Sequence, residues 1–204
     1  MTTSQPLKFE TPDHGEETAR ADLYGLLASL FYAPPPQALL DTLATAPASG
    51  YAVLQHGWRG LVEACRELSA EAVRDEYEAL FIGVGKPEIF LYGSYYLSGF
   101  LMEKPLIALR NDLAQLGLQK ADTVIESEDH FATLCEVMRY LIASDDVLQA
   151  NLAIQKNFFA THLQPWVQEL CTALESHPQA RFYAAVAHLT RIFFDIEMQA
   201  FDME

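Results

Sequence analysis

Glu16-Glu17-Thr18-Ala19-Arg20-Ala21-Asp22-Leu23-Tyr24-Gly25-Leu26-Leu27-Ala28-Ser29-Leu30-Phe31, closed by Pro34-Pro35-Pro36, is the stretch whose reading decides the fold class. Ala19, Leu23, Leu26, Leu27, Leu30 and Phe31 recur at spacings of three and four, the period of one helix face. Glu16 and Glu17 lie in the first turn, where the helix dipole favours negative charge. The three prolines must stop the helix, because proline lacks an amide donor and its ring clashes with the preceding turn. The same pattern repeats along the chain. Residues 37–45 form a short second helix, and Leu54, Trp58, Leu61, Val62 and Cys65 mark a third over 51–68. Ser69 suits the N-cap of a helix over 70–81. Pro105 opens another that runs through Leu116 to Gly117, a natural C-terminal stop. Ser127 is expected to cap 128–143, and further helices start at Ser144-Asp145-Asp146, at Pro165 and after Pro178. There is no Asn-Gly hairpin signal and no alternating β pattern. The expected fold is all-α, a single globular bundle of about nine or ten helices over residues 16–204, preceded by a loose tail over 1–15.

Composition narrows the function. Of 204 residues half are hydrophobic and 11% aromatic, enough for a real core and too apolar for intrinsic disorder. A net charge of −15 argues against nucleic acid and against anionic lipid, since both need a basic face. Such a surface attracts a basic segment of a partner instead. Cys65, Cys135 and Cys171 are far apart with no Cys-x-x-Cys pairing, which fits a reduced compartment and leaves zinc unsupported. The first eighteen residues contain no apolar signal-peptide core. No apolar run approaches the ~20 residues of a membrane span, and Lys86, Glu88, Glu103 and Lys104 interrupt the best candidate. The expectation is a cytoplasmic protein without membrane insertion.

Chemistry-bearing residues concentrate in Glu126-Ser127-Glu128-Asp129-His130, where a polar loop turns into the apolar run beginning Phe131-Ala132-Thr133-Leu134. The six histidines include no His-x-x-x-His pair, so a preformed helical metal site is not indicated. Gly83-Val84-Gly85-Lys86 lacks the first glycine and the hydroxyl residue of a phosphate loop, and Pro87 follows in place of a helix, so it reads as a turn. Asp129 and His130 are neighbours, and on a helix their side chains would diverge by ~100°. The acidic stretch is then either a first turn that complements the helix dipole or a polar rim beside the aromatic loop 89–96, suited to a peptide with basic and apolar residues. The Tyr77, Leu80 and Phe81 stripe reads by itself as core. His162, Pro165 and Trp166 read as packing for a helix junction. A small helical hydrolase using Asp129 or Glu126 with His130 as acid and base is the alternative.

Three segments in register resemble the TorD/DmsD family of chaperones for molybdoenzymes. They are Tyr77-Glu78-Ala79-Leu80-Phe81 with its loop ending Tyr92-Gly93-Ser94-Tyr95-Tyr96-Leu97; Glu126-Ser127-Glu128-Asp129-His130, similar to that family's Glu-Pro-x-Asp-His signature; and Gln155-x-x-Phe158-Phe159-x-x-His162-Leu163-x-Pro165-Trp166. The resemblance spans roughly residues 20–195. It implies a TorD-like helical fold and a chaperone that binds the twin-arginine signal peptide of a molybdopterin-containing oxidoreductase, holding it back from export until cofactor is inserted. By carry-over, Tyr77, Leu80, Phe81, Tyr92, Ser94, Asp129 and His130 line the peptide groove, with Glu126 and Asp129 pairing the arginines. It further implies a monomer or a domain-swapped dimer hinged near 118–130, and weak guanine-nucleotide binding to which no residue here is assigned. Ser127 departs from the family proline. Charged hydrogen bonds give about 1.5–3 kcal/mol at best, against about 8 kcal/mol for micromolar affinity, so apolar contacts must supply much of the binding. On this reading Asp129→Ala weakens peptide binding and leaves thermal stability alone.

Overall fold

Helix α1, His14–Tyr32, packs along helix α7, Phe131–Ala143, and the longest helix, α10, Phe182–Asp202, packs on α3, Ala52–Glu67, and α9, Gln164–Ser176. The remaining helices are α2, Gln37–Thr45; α4, Ala70–Tyr77; α5, Gly93–Ser98; α6, Lys104–Gln115; and α8, Leu152–His162. A π-helical turn, Glu78–Ile82, continues α4. This is a computed structural model, and it describes residues 14–47, 52–121, 123–144 and 151–203. Among them the one β feature is an isolated antiparallel bridge between Tyr92 and His130. The expected tail residues 1–13 and the expected helix start at Asp145-Asp146 lie outside the described residues. His14 and Gly15 are already helical, and the described part of the later helix begins after Asn151, whose side chain accepts from Ala153 N at 2.8 Å.

The core is aromatic and continuous. Phe31 meets Phe131 edge-on at 4.8 Å between centroids, and Phe81 meets Tyr183 the same way at 4.9 Å. Such T-shaped contacts add to plain area burial. The prolines after α1 remove the donors that would follow its last carbonyls, and side chains replace them. Tyr77 donates its hydroxyl to Tyr32 O at 2.9 Å, and Tyr183 donates to Leu30 O at 3.0 Å. Next to these tyrosines, Glu76 accepts from the amides of Arg181, Phe182 and Tyr183 at 2.9, 3.1 and 2.8 Å. A carboxylate from α4 thus satisfies the orphan donors at the start of α10.

Two local expectations change. The apolar spacing of Tyr77, Leu80 and Phe81 predicts one helix over 70–81, and the Ser69 cap is present, accepting from Ala72 N at 3.2 Å. The chain then widens into the π turn, with Gly83 N donating to Glu78 O at 2.8 Å. Spacings of three and four do not distinguish the two geometries. The stretch 93–98, expected as loop, is a short helix that approaches α9 closely. A Cβ on Gly93 would stand 3.1 Å from the Trp166 ring nitrogen, so any larger residue would press on the indole and require it to give by a few tenths of an ångström.

Candidate functional site

The Tyr92–His130 bridge assembles the corner. Gly93 N donates to Asp129 O at 2.9 Å, and Phe131 N donates to Leu91 O at 2.7 Å. These bonds lay the aromatic loop beside the acidic stretch, 35 residues apart in sequence. Tyr92, Ser94, Glu126, Asp129 and His130 therefore meet in one network, as the sequence led us to expect of a polar rim beside Tyr92.

Their roles differ from those expected. Ser127 does not cap α7. That helix starts at Phe131, and His130 is its N-cap, with Nδ1 accepting from Ala132 N at 3.2 Å. Ser127 donates its hydroxyl to Asp129 Oδ1. Asp129 is 3% exposed, and its Oδ2 accepts from Ser94 N at 2.9 Å in the first turn of α5. Both carboxylate oxygens are thus engaged, one of them in capping a helix 35 residues upstream. Asp129 is a buried, hydrogen-bonded tie between the acidic stretch and α5 in this conformation. The three acids of the stretch separate: Asp129 serves α5, Glu128 pairs with Arg110 at 2.9 Å, and Glu126 is half-buried and faces Tyr92. The Arg110 bond holds the Glu128 carboxyl below the usual range. Tyr92 donates its hydroxyl to Glu126 Oε2, and Lys120 Nζ donates to the Glu126 carbonyl at 2.8 Å. Burial first, and then the Glu126 bond, push the Tyr92 phenol well up, so it remains a donor.

Leu80 has no exposed surface, and Tyr77 and Phe81 are buried with it. Phe81 packs on Phe31, Tyr77 and Tyr183, and Leu80 O accepts from Ile89 N at 2.9 Å. These three residues form the wall behind the corner and are not open to a peptide in this conformation. Tyr77 shares an electrostatic environment with Glu126, although burial is the main reason its phenol is pushed up to about 12.

His130 is 4% exposed and stacks edge-on to Tyr92 at 5.1 Å. Burial lowers its pKa to about 4, while the charges of Glu126 and Asp129 oppose that shift. The ring is neutral at pH 7, and because Nδ1 accepts, its proton lies on Nε2. An unfolded histidine titrates near 6.5, so below that pH the unfolded chain binds a proton that the folded chain refuses. The His130 contribution is therefore fully present above pH ~6.5 and is lost as pH falls towards 4, on the order of 3 kcal/mol over the window. His130→Asn retains a capping side chain without the titration. Urea unfolding at pH 7 and pH 4.5 should show a shallower acid loss for that variant, and an unchanged slope would contradict the assignment.

Sequence spacing does not reveal the polar clamp at the far end of α1. Glu197 is 1% exposed and accepts from Arg20 Nε and Nη2 at 2.8 and 2.9 Å, and from Tyr24 at 3.1 Å. Arg20 Nη2 also reaches Gln155 Oε1 at 3.4 Å. Nor does spacing reveal the outward-facing apolar residues that follow Ser98, although they close the uncharged, largely apolar run 89–102. Gly83 and Gly85 adopt φ of 63° and 96° in a tight turn, as expected of that segment. Among the described residues no cluster of histidine, cysteine and carboxylate is arranged to hold a metal, and no helix is long and apolar enough to cross a membrane.

Comparison with known proteins adds an independent observation. The family model described as nitrate reductase delta subunit matches residues 49–172. A chaperone protein TorD of Shewanella loihica is 27% identical over 205 residues, covering 89% of this chain and 92% of that protein. A TorD of Aliivibrio fischeri is 27% identical over 149 residues, covering 69% of this chain and 67% of its own length. In fold, the chain is similar to the crystal structure of a candidate redox enzyme maturation protein from Archaeoglobus fulgidus. The TM-score is 0.53 at 18% identity, over 93% of this chain and 99% of that one.

Proposed function

The chain belongs to the nitrate reductase delta subunit family, and with its likeness to TorD chaperones as premise we propose that it is a cytoplasmic maturation chaperone for a molybdopterin-containing oxidoreductase. It binds the twin-arginine signal peptide of that client and holds it until cofactor is inserted. Within the corner, the residue that carries the reading is Glu126. It is the half-buried acid whose Oε1 makes no hydrogen bond among the described residues, set beside an aromatic donor. A guanidinium can approach that oxygen while Tyr92 holds the other. Asp129, Ser94 and His130 fix the backbone on which Glu126 and Tyr92 stand, and Tyr77, Leu80 and Phe81 back it with packed surface.

The same geometry gives less support to the hydrolase alternative, which would use Asp129 or Glu126 with His130. His130 Nδ1 is spent on a backbone amide, its pKa lies far below neutrality, and Asp129 is fully occupied. Isothermal calorimetry with a peptide carrying adjacent arginines and an apolar run, against the same peptide with lysines, tests the proposal. The expected result is micromolar binding of the arginine form and about tenfold weaker binding of the lysine form, because lysine cannot form a planar two-pronged bond. No binding of either to folded protein would refute it.

A further inference from the structure

Beyond the corner, the chain holds apolar side chains in water where the fold does not need them. Phe100 is 70% exposed and Met102 is 73% exposed, with Leu97, Leu101, Tyr95 and Ile107 open beside them. The segment is shaped. Met102 N donates to Ser94 Oγ at 3.2 Å, and Ser98 donates its hydroxyl to Phe100 O at 3.2 Å, folding the loop back onto α5. Phe90 stacks on Tyr95 at 4.2 Å, extending the surface towards the aromatic loop. Met102 has φ of 60°, and it is the one non-glycine residue with positive φ among the described residues. That conformation is unfavourable for a residue with a Cβ, and glycine would adopt it freely. A strained, solvent-exposed methionine that follows the exposed Phe100 and Leu101 buries little on folding, and strain of this kind collects at binding sites. Methionine also adapts to varied apolar partners.

The position of the ledge in the fold indicates what covers it. Asp129 caps α5, Tyr92 immediately precedes it, and Tyr92 holds Glu126, so the acid corner and the ledge are opposite ends of one short element. The six residues of α5 advance about 9 Å, which an extended chain covers in about three residues. We infer that the ledge formed by Tyr95, Leu97, Phe100, Leu101, Met102 and Ile107 seats an apolar peptide segment lying three or more residues from a cation held at Glu126. The inference rests on the signal-peptide reading above and assigns the apolar half of the peptide to this outer surface, in place of the buried Leu80 and Phe81.

The test uses two synthetic peptides, both with adjacent arginines, one with a leucine-alanine run and one with that run replaced by serine and glycine. They are titrated into wild type, Phe100→Ser/Met102→Ser and Met102→Gly, with sedimentation and thermal melts of each protein. On wild type the apolar run is expected to tighten binding about tenfold or more. On the double variant that advantage disappears, and the two peptides bind alike. Met102→Gly should melt no lower than wild type yet bind the apolar peptide several-fold more weakly, which a merely structural role would not produce. If the double variant keeps the full advantage of the apolar run, the ledge inference is overturned while the signal-peptide reading stands. If neither peptide binds wild type, that reading fails and takes the ledge with it. If wild type is a dimer that the double variant splits, the ledge is a self-contact and the inference is overturned.

Discussion

Asp129→Ala is expected to lower the unfolding free energy by about 2–4 kcal/mol, combining a lost helix cap with a buried amide left without a partner. Ser94 N lies inside the protein, and water does not replace the carboxylate that it now meets at 2.9 Å. Ser127 also loses its acceptor, and the stretch that carries Glu126 and His130 loses its tie to α5. In a chain of this size the Tm should fall by roughly 5–15 °C. Asp129→Asn is milder, because the amide oxygen still accepts from Ser94 N. Chemical unfolding of both variants is the check. A fully stable Asp129→Ala protein would restore this residue to the list of direct peptide contacts.

Glu197→Ala is the second large effect, expected to cost about 3–5 kcal/mol, the range for breaking a buried pair by removing one partner. It removes the buried partner of the Arg20 guanidinium, whose side chain is 15% exposed, leaving it Glu17 at 3.0 Å as its carboxylate partner, and it strands the Tyr24 hydroxyl. Burial opposes the Arg20 charge, and the Glu197 bond and charge, followed by that of Glu17, outweigh it and raise its pKa, so removing Glu197 leaves the burial opposed chiefly by Glu17. The joint replacement Arg20→Met with Glu197→Leu should cost less than Glu197→Ala alone, since the penalty of a buried unpaired charge is absent. A joint variant less stable than the single one would contradict this account. Because the clamp ties α1 to α10 well away from the corner, peptide binding by the folded fraction is expected to be unchanged.

The helices were legible because their signals are local. The apolar stripe of α1, the prolines after it, the Ser69 cap and Gly117, at φ of 70°, each act within a turn of the residue that carries them. What sequence spacing could not show is long-range polar pairing. Asp129 capping Ser94, Glu76 capping the start of α10 and Glu197 clamping Arg20 join residues 35, about 105 and 177 positions apart. Each carboxylate looks in sequence like an ordinary surface acid. The site was legible as a neighbourhood, since Tyr92, Ser94, Glu126, Asp129 and His130 do come together. Its division of labour was not, because whether an acid is open or spent depends on which backbone amide folds against it. The ledge was hidden for the converse reason: an apolar run predicts burial, and only the fold shows that Phe100 and Met102 remain outside.

The central claim is that Glu126, and not Asp129, is the acid that meets the client's arginine. Calorimetric titration of a twin-arginine peptide into wild type and Glu126→Gln tests it most directly. Glutamine still accepts from Tyr92, so the fold is preserved and only the charge is lost. The account predicts binding about tenfold weaker or worse, the loss of a charge-assisted bond of roughly 1.5 kcal/mol or more, with an unchanged Tm. Equal affinity of Glu126→Gln and wild type, with binding abolished in a folded Asp129→Asn protein, would contradict it.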